Sequence, residues 1–235
     1  AGWLLARGVG PGDRIALLLT DGAPFLTTLL ACGRIGAIAV LLNWRLAPAE
    51  IAWICGNAEP AMTFASPRFA ALLSGAEAGE VHMVDEAHTG DGFFETAVAT
   101  TYGPNENRYD FSLGLTPDRP LYMMYTSGTT GVPKGAMLSH RNLITMSLQY
   151  GADVDCVRPG QTMLHVAPLS HGAGLYALPH LFGGGHQVIE ASFSTDLVFE
   201  ALQQYPDVTL FAAPTMLSRM IRSAEGIKNP AGNLL

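Results

Sequence analysis

The sequence predicts an α/β fold of two mostly parallel sheets with flanking helices. Three observations carry that expectation. Short apolar runs alternate with longer segments of helical periodicity along nearly the whole chain. A polar stretch at 89–115, rich in Gly, Asn and acidic residues, breaks the rhythm once. Hydrophobic residues make up 49% of the 235 positions and charged residues 14%, a composition that buries a core instead of staying disordered.

The elements follow in order. The turn Pro11-Gly12-Asp13 opens a buried strand at Arg14–Thr20, RIALLLT. Ala23–Ala37 sets Phe25, Leu29, Leu30 and Ile35 on roughly one helical face. Ala39–Leu42 is the next strand, and Pro48–Asn57 a helix with Pro in its first turn. Ala61–Ala65, Arg68–Leu73 and Val81–Val84 continue the alternation up to the 89–115 stretch, which links two α/β units. Beyond it, Pro120–Thr126 and Ala136–Ser139 read as strands and His140–Tyr150 as a helix. Strands at Thr162–Ala167, His186–Glu190 and Val208–Ala212 alternate with helices at Leu175–Phe182, Thr195–Gln204 and Thr215–Ser223. Strands alternating with helices imply parallel pairing through right-handed crossovers. The expected division is a first subdomain over 1–115 and a second over 116–235.

Charge and cysteines narrow the function. A net charge of −7 argues against nucleic acid or an anionic membrane as the main partner, since both are held by surplus Lys and Arg. Cys32, Cys55 and Cys156 form no CxxC pair and read as reduced thiols of a cytoplasmic protein. No apolar run reaches the ~18–20 residues that span a bilayer. The opening AGWLLARGVGPGD has neither a starting Met nor the charge pattern of a signal peptide, and it reads as the last turn of a helix begun upstream. The final NPAGNLL stops without a recognisable element, so both ends suggest a piece of a longer chain.

One segment carries the chemistry: Tyr125-Thr126-Ser127-Gly128-Thr129-Thr130-Gly131-Val132-Pro133-Lys134-Gly135. It begins at the last residue of the apolar LYMMY and holds four aliphatic hydroxyls, three glycines and one lysine. Glycines let the backbone approach a ligand with no Cβ in the way. Successive N–H groups can converge on an anion, hydroxyls add donors, and a terminal lysine supplies a mobile charge for phosphate oxygens. Pro133 stiffens the exit. The physical reading is a phosphate cradle. A Walker loop fails, because Lys134 lies between Pro133 and Gly135. The dinucleotide fingerprint fails too, because Gly8, Gly10 and Gly12 lack its spacing and precede a strand. A plain flexible turn is the remaining rival.

YTSGTTGVPKG resembles the signature loop of the adenylate-forming (AMP-binding) superfamily, which holds acyl-CoA synthetases, peptide-synthetase adenylation domains and firefly-type luciferases. Met137–Leu143 (MLSHRNL) is similar to the segment just past the loop in acyl-CoA synthetases. Ala167–Leu175 (APLSHGAGL) resembles the family's next motif, and Gly8–Ile54 resembles its early region. The resemblance implies the large N-terminal part of a carboxylate–CoA ligase that uses ATP, Mg²⁺ and CoA with a small carboxylic acid. It assigns Thr126, Ser127, Gly128, Thr129, Thr130, Gly131 and Lys134 to the pyrophosphate portion of ATP, with Thr126 also a candidate neighbour of Mg²⁺. It assigns His171 to the acyl pocket, together with the Phe211–Met216 region. A satisfied histidine at a helix start is the alternative for His171. The family's adenine segment, ribose-binding Asp, hinge and catalytic Lys have no counterpart here and are expected beyond Leu235. An isolated chain is therefore expected to be inactive, with no catalytic residue assigned in it. SHRNL and PLSHGAG favour a CoA ligase over an amino-acid adenylation domain; a non-catalytic nucleotide-binding module is the third reading.

His165, His171, His180 and His186 have the spacing H-x5-H-x8-H-x5-H, which matches no common zinc site. Asp85, Glu86, Glu77 and Glu80 read as solvated charges. The triplet Gly183-Gly184-Gly185 reads as a helix-to-strand turn.

Overall fold

The computed structural model describes residues 1–85, 114–126 and 133–224, arranged as two compact units, Ala1–Asn142 and Leu143–Leu235. Most of the expected link at 89–115 lies outside the described residues.

The first unit begins with α1 (Gly2–Leu5) and β1 (Arg14–Leu18), whose last four residues are buried. α2 (Ala23–Ile35) starts with Pro in its first turn and ends at Gly36, which takes φ 74° in the left-handed region where only glycine sits without strain. β2 (Ile38–Leu41) comes next, then α3 (Pro48–Ala58). The Glu50 carboxylate accepts a hydrogen bond from the Ala47 N–H at 2.8 Å and so fixes the start of α3. Arg14 fixes its end: Nε donates to Ala58 O at 2.9 Å and a terminal guanidinium nitrogen to Glu59 O at 2.8 Å. β3 (Met62–Ala65), a 3-10 helix (Pro67–Leu73) and β4 (Glu80–Met83) complete the first half.

β5 (Pro120–Thr126) and β6 (Lys134–Ser139) finish a six-stranded sheet of order β4-β3-β1-β2-β5-β6. All neighbours pair in parallel except β5 and β6, which are antiparallel. The chain steps from β1 to β2 in one direction and then back across β1 to β3. Right-handed crossovers therefore place α2 and α3 on opposite faces. Ala16, Leu18, Val40, Leu42 and Ala65 pack against Ile51, Ile54, Cys55 and Ala58 of α3, with Met123 and Tyr125 of β5 partly buried at the same cluster. Ile15 and Leu17 alternate with them and are fully buried on the other face.

The sequence reading puts the strand at 120–126 and its partner in a second subdomain opening at residue 116. In the structure this strand lies in the six-stranded sheet of the first unit. β5 hydrogen-bonds along β2, with Ala39 opposite Tyr122 and Leu41 opposite Met124, and the compact units divide after Asn142. The reason is burial. All four residues of β2 are buried, so the strand needs a neighbour on each side, and β5 supplies the one that β1 does not.

The second unit continues α4 (His140–Asp153) into a three-stranded parallel sheet of order β8-β7-β9, made of His186–Ile189, Thr162–His165 and Val208–Leu210. A 3-10 helix (Gly172–Tyr176) and α5 (Ala177–Phe182) come after β7; α6 (Thr195–Gln204) and α7 (Pro214–Ala224) come after β8 and β9. Leu164 and Val166 pack on Val198, Ala201 and Met220, the inward stripe of the last two helices. Among the described residues no helix is long and apolar enough to cross a membrane.

Candidate functional site

The Tyr125–Gly135 motif begins at the carboxyl end of β5. In open parallel sheets that end collects ligands, because strand backbones stop there and loops diverge. Ser127, Gly128, Thr129, Thr130 and Gly131 lie outside the described residues. The two ends of the loop are described. Thr126 is the last residue of β5, Lys134 the first of β6, and the two stand opposite each other in the antiparallel pair. Side chains of directly opposed residues project from the same face of a sheet. The Thr126 and Lys134 side chains thus leave the same face of the hairpin at the two ends of the loop, and both residues are exposed.

The next pair, Tyr125 and Gly135, projects from the opposite face. A Cβ on Gly135 would lie 3.1 Å from Tyr125 Cζ and 3.3 Å from Met123 Cγ, so glycine leaves room for the Tyr125 ring to lie across β6. The Tyr125 hydroxyl donates to Asn57 Oδ1 at 2.6 Å. Trp53, one turn earlier on α3, meets the ring edge-on with centroids 6.1 Å apart. Burial, with Cys55 nearby, raises the Tyr125 pKa, so the hydroxyl stays a donor. Sequence reasoning missed this anchor: Asn57 lies 68 residues from Tyr125 and belongs to no motif.

His171 sits in the second unit at the N-cap of the 3-10 helix, exposed, with Nδ1 3.0 Å from Ser170 Oγ. The ring therefore stands at a helix start and on the surface. Tyr176, at the other end of this short helix, stacks on Phe211 with centroids 5.4 Å apart and planes 23° apart. Tyr150 meets Tyr176 edge-on at 5.7 Å. The fold thus joins the His171 segment, after β7, to the Phe211 segment, after β9, through an aromatic cluster. Tyr150 and Tyr176 carry no signal in the sequence that would mark them.

Two other histidines of the second unit, His165 and His180, serve the interior, while His186 is exposed. His165 lies 2.8 Å by Nε2 from Gln187 Oε1, and His180 donates from Nδ1 to the Tyr176 carbonyl at 3.0 Å. Both are buried, and desolvation lowers both pKa values.

Comparison with known proteins matches this arrangement to a family. The chain fits the family model for the AMP-binding enzyme over residues 1–233. Feruloyl-CoA synthase of an Amycolatopsis species is 34% identical over 218 residues, covering 92% of this chain and 41% of that protein. Indoleacetate–CoA ligase of Aromatoleum aromaticum is 31% identical over 222 residues, covering 93% of this chain and 43% of that protein. ATP-bound MatB from Rhodopseudomonas palustris superposes with a TM-score of 0.78 at 27% identity, covering 93% of this chain and 42% of that one. The chain spans about two-fifths of the length of these relatives. It belongs to the AMP-binding enzyme family.

Proposed function

We propose that the whole protein is an ATP-dependent carboxylate–CoA ligase, an acyl- or aryl-CoA synthetase. In its first half-reaction a carboxylate oxygen attacks the α-phosphorus of ATP and expels pyrophosphate, leaving acyl-AMP. In the second, the CoA thiol attacks the acyl carbonyl and expels AMP. The observation that carries this reading is the pairing of Thr126 with Lys134 at the carboxyl end of β5, on either side of the Ser127–Pro133 loop. A threonine and a lysine on one face, at the two ends of a segment rich in glycine and hydroxyl residues, suit the oxygens of a polyphosphate. Charge neutralisation and positioning are what phosphoryl-type transfer needs most. Lys134 binds β- and γ-phosphate oxygens together with Ser127, Gly128, Thr129, Thr130 and Gly131. Thr126 fits Mg²⁺ as one oxygen ligand, since Mg²⁺ takes its remaining ligands from phosphate and water.

His171 lines the acid-binding pocket, supported by its exposure beside the Tyr176–Phe211 stack. An aromatic acid is the favoured substrate class. Flat aromatic walls suit a ring, and the similar proteins named for feruloyl and indoleacetyl groups act on such acids. A cytosolic setting is supported by the free cysteines, of which burial pushes Cys32 up to about 12 and Cys55 up to about 11. An amino-acid adenylation domain would run the same first half-reaction and pass the acyl group to a carrier protein. A binding module would run neither.

The test is acid-dependent pyrophosphate release by the full-length protein, then CoA or a carrier protein as acceptor. Release with acyl-CoA formation supports the ligase; release with acyl transfer only to the carrier refutes the CoA assignment. Absence of release with every acid refutes both.

A further inference from the structure

The Tyr125 side chain turns away from the face of Thr126 and Lys134, and it is held from three sides at the root of that loop. Its ring lies against Gly135, the strand partner just after Lys134. Trp53 closes the ring edge, and the hydroxyl ends on Asn57 of α3. α3 itself is fixed at both ends, by Glu50 on the Ala47 N–H and by Arg14 on the Ala58 and Glu59 carbonyls. Its middle packs on the central strands through Ile51, Ile54 and Cys55. A rigid element therefore reaches across the sheet and holds one residue, and that residue's neighbours carry the loop. Thr126 comes directly after Tyr125, and Lys134 precedes the Gly135 on which the ring rests.

We propose that Asn57 and Tyr125 are a positioning pair: their hydrogen bond, with Trp53 against the ring, locks the β5–β6 root so that Thr126 and Lys134 meet the nucleotide at a set separation. The inference rests on the phosphate-binding reading of the loop given above. Neither residue touches the reacting atoms; both act through the strand ends. Sites whose ligating groups are held by a second set of contacts bind in one geometry, and loosening those contacts costs affinity without removing a ligand group.

The consequence is selective. Losing the hydroxyl in Tyr125→Phe, or its acceptor in Asn57→Ala, should raise KM for ATP about 3- to 10-fold, the size of one net hydrogen bond. KM for the acid should stay within about twofold, because the acid contacts lie in the other unit. Asn57→Asp, which keeps an oxygen acceptor at the same position, should restore the ATP KM to within about twofold. The double variant Tyr125→Phe/Asn57→Ala should cost no more than the worse single one.

The experiment is steady-state kinetics on the full-length protein with ATP and acid varied separately, with thermal unfolding of each variant alongside. Lys134→Ala is the reference. If Lys134→Ala is impaired while Tyr125→Phe and Asn57→Ala keep the wild-type ATP KM, the positioning pair is refuted and the loop reading stands. If Lys134→Ala keeps wild-type adenylation, the loop reading fails, and the pair falls with it. If acid and ATP KM rise together with a lowered melting temperature, and Asn57→Asp does not rescue, the contact only supports the fold and the inference is overturned.

Discussion

Gly174 gives the sharpest test of how the His171 segment is held. It lies in the 3-10 helix Gly172–Tyr176, where its N–H donates to the His171 carbonyl at 2.9 Å. A Cβ added there would lie 2.0 Å from the Leu169 carbonyl oxygen, 2.8 Å from its carbon and 2.9 Å from its Cα. Each of those atoms is backbone, and Leu169 is itself 1% exposed, so nothing in the neighbourhood yields by a rotamer change. Reaching ordinary van der Waals contact, which starts at 3.4 Å, moves the two backbones apart by about 1.4 Å. Overpacking a tight site costs about 1–3 kcal/mol, and backbone on both sides puts Gly174→Ala at about 3 kcal/mol or above. In a domain of this size that lowers the melting temperature by about 6–12 °C. Gly172 is the control: the same helix, two residues away, with nothing within 4 Å of an added Cβ. Gly172→Ala should stay within about 0.5 kcal/mol of wild type. The assay is thermal unfolding of both full-length variants, with kcat/KM for the acid as a second readout, since the shift displaces His171 and Tyr176 together. A Gly174→Ala melting temperature within about 2 °C of Gly172→Ala, well under the expected drop, would show that the chain opens there at little cost and that the Leu169 contact does not position the segment.

The other predictions come from single sites. Lys134→Ala should slow acyl-AMP formation about 10- to 1000-fold, the scale of one lost transition-state charge contact, with the melting temperature unchanged because the side chain is exposed; ATP–pyrophosphate exchange measures it. His171→Ala should reorder the preference among acids more than it alters KM for ATP, and equal loss across all acids would remove His171 from the pocket. His165 and His180 have pKa values lowered by burial, so as pH falls below about 6.5 the unfolded chain takes up protons that the folded one refuses. Their contribution to stability is full above that pH and lost below it, and His180→Gln should flatten the acid limb of melting temperature against pH; an unchanged slope would mean His180 is already protonated in the fold. Under the proposed function the 235-residue chain alone should make no acyl-CoA from ATP, CoA and a panel of acids, because alignment worth roughly 7–11 kcal/mol of barrier would depend on groups that the sequence resemblance implies outside it; turnover near that of the full-length protein would overturn the assignment of roles.

How much of the molecule is legible in its sequence depends on how far apart the interacting residues lie. β1, β2 and β3 are visible as apolar runs because each is buried on both faces, and α2, α3 and α6 because their buried residues recur at helical spacing. The neighbours of a strand leave no such trace. Nothing in LYMMY says that it completes β2, which is why the expected boundary at 115/116 differs from the division after Asn142. The loop motif is legible because its glycines, hydroxyls and lysine stand within a few residues of each other. The hairpin that sets Thr126 against Lys134 is a matter of pairing register, and so is not. Tyr125 shows the limit most plainly. It is the first residue of the motif and looks like part of the cradle, but the pleat sends it to the other face, where Asn57 and Trp53 hold it. A one-residue step along a strand reverses which face a side chain serves. Motif membership therefore cannot separate a residue that touches the ligand from one that holds the strand beneath it; only the paired register does that. Thr126 and Tyr125 are adjacent in sequence, and the pairing sends them to opposite faces of the hairpin.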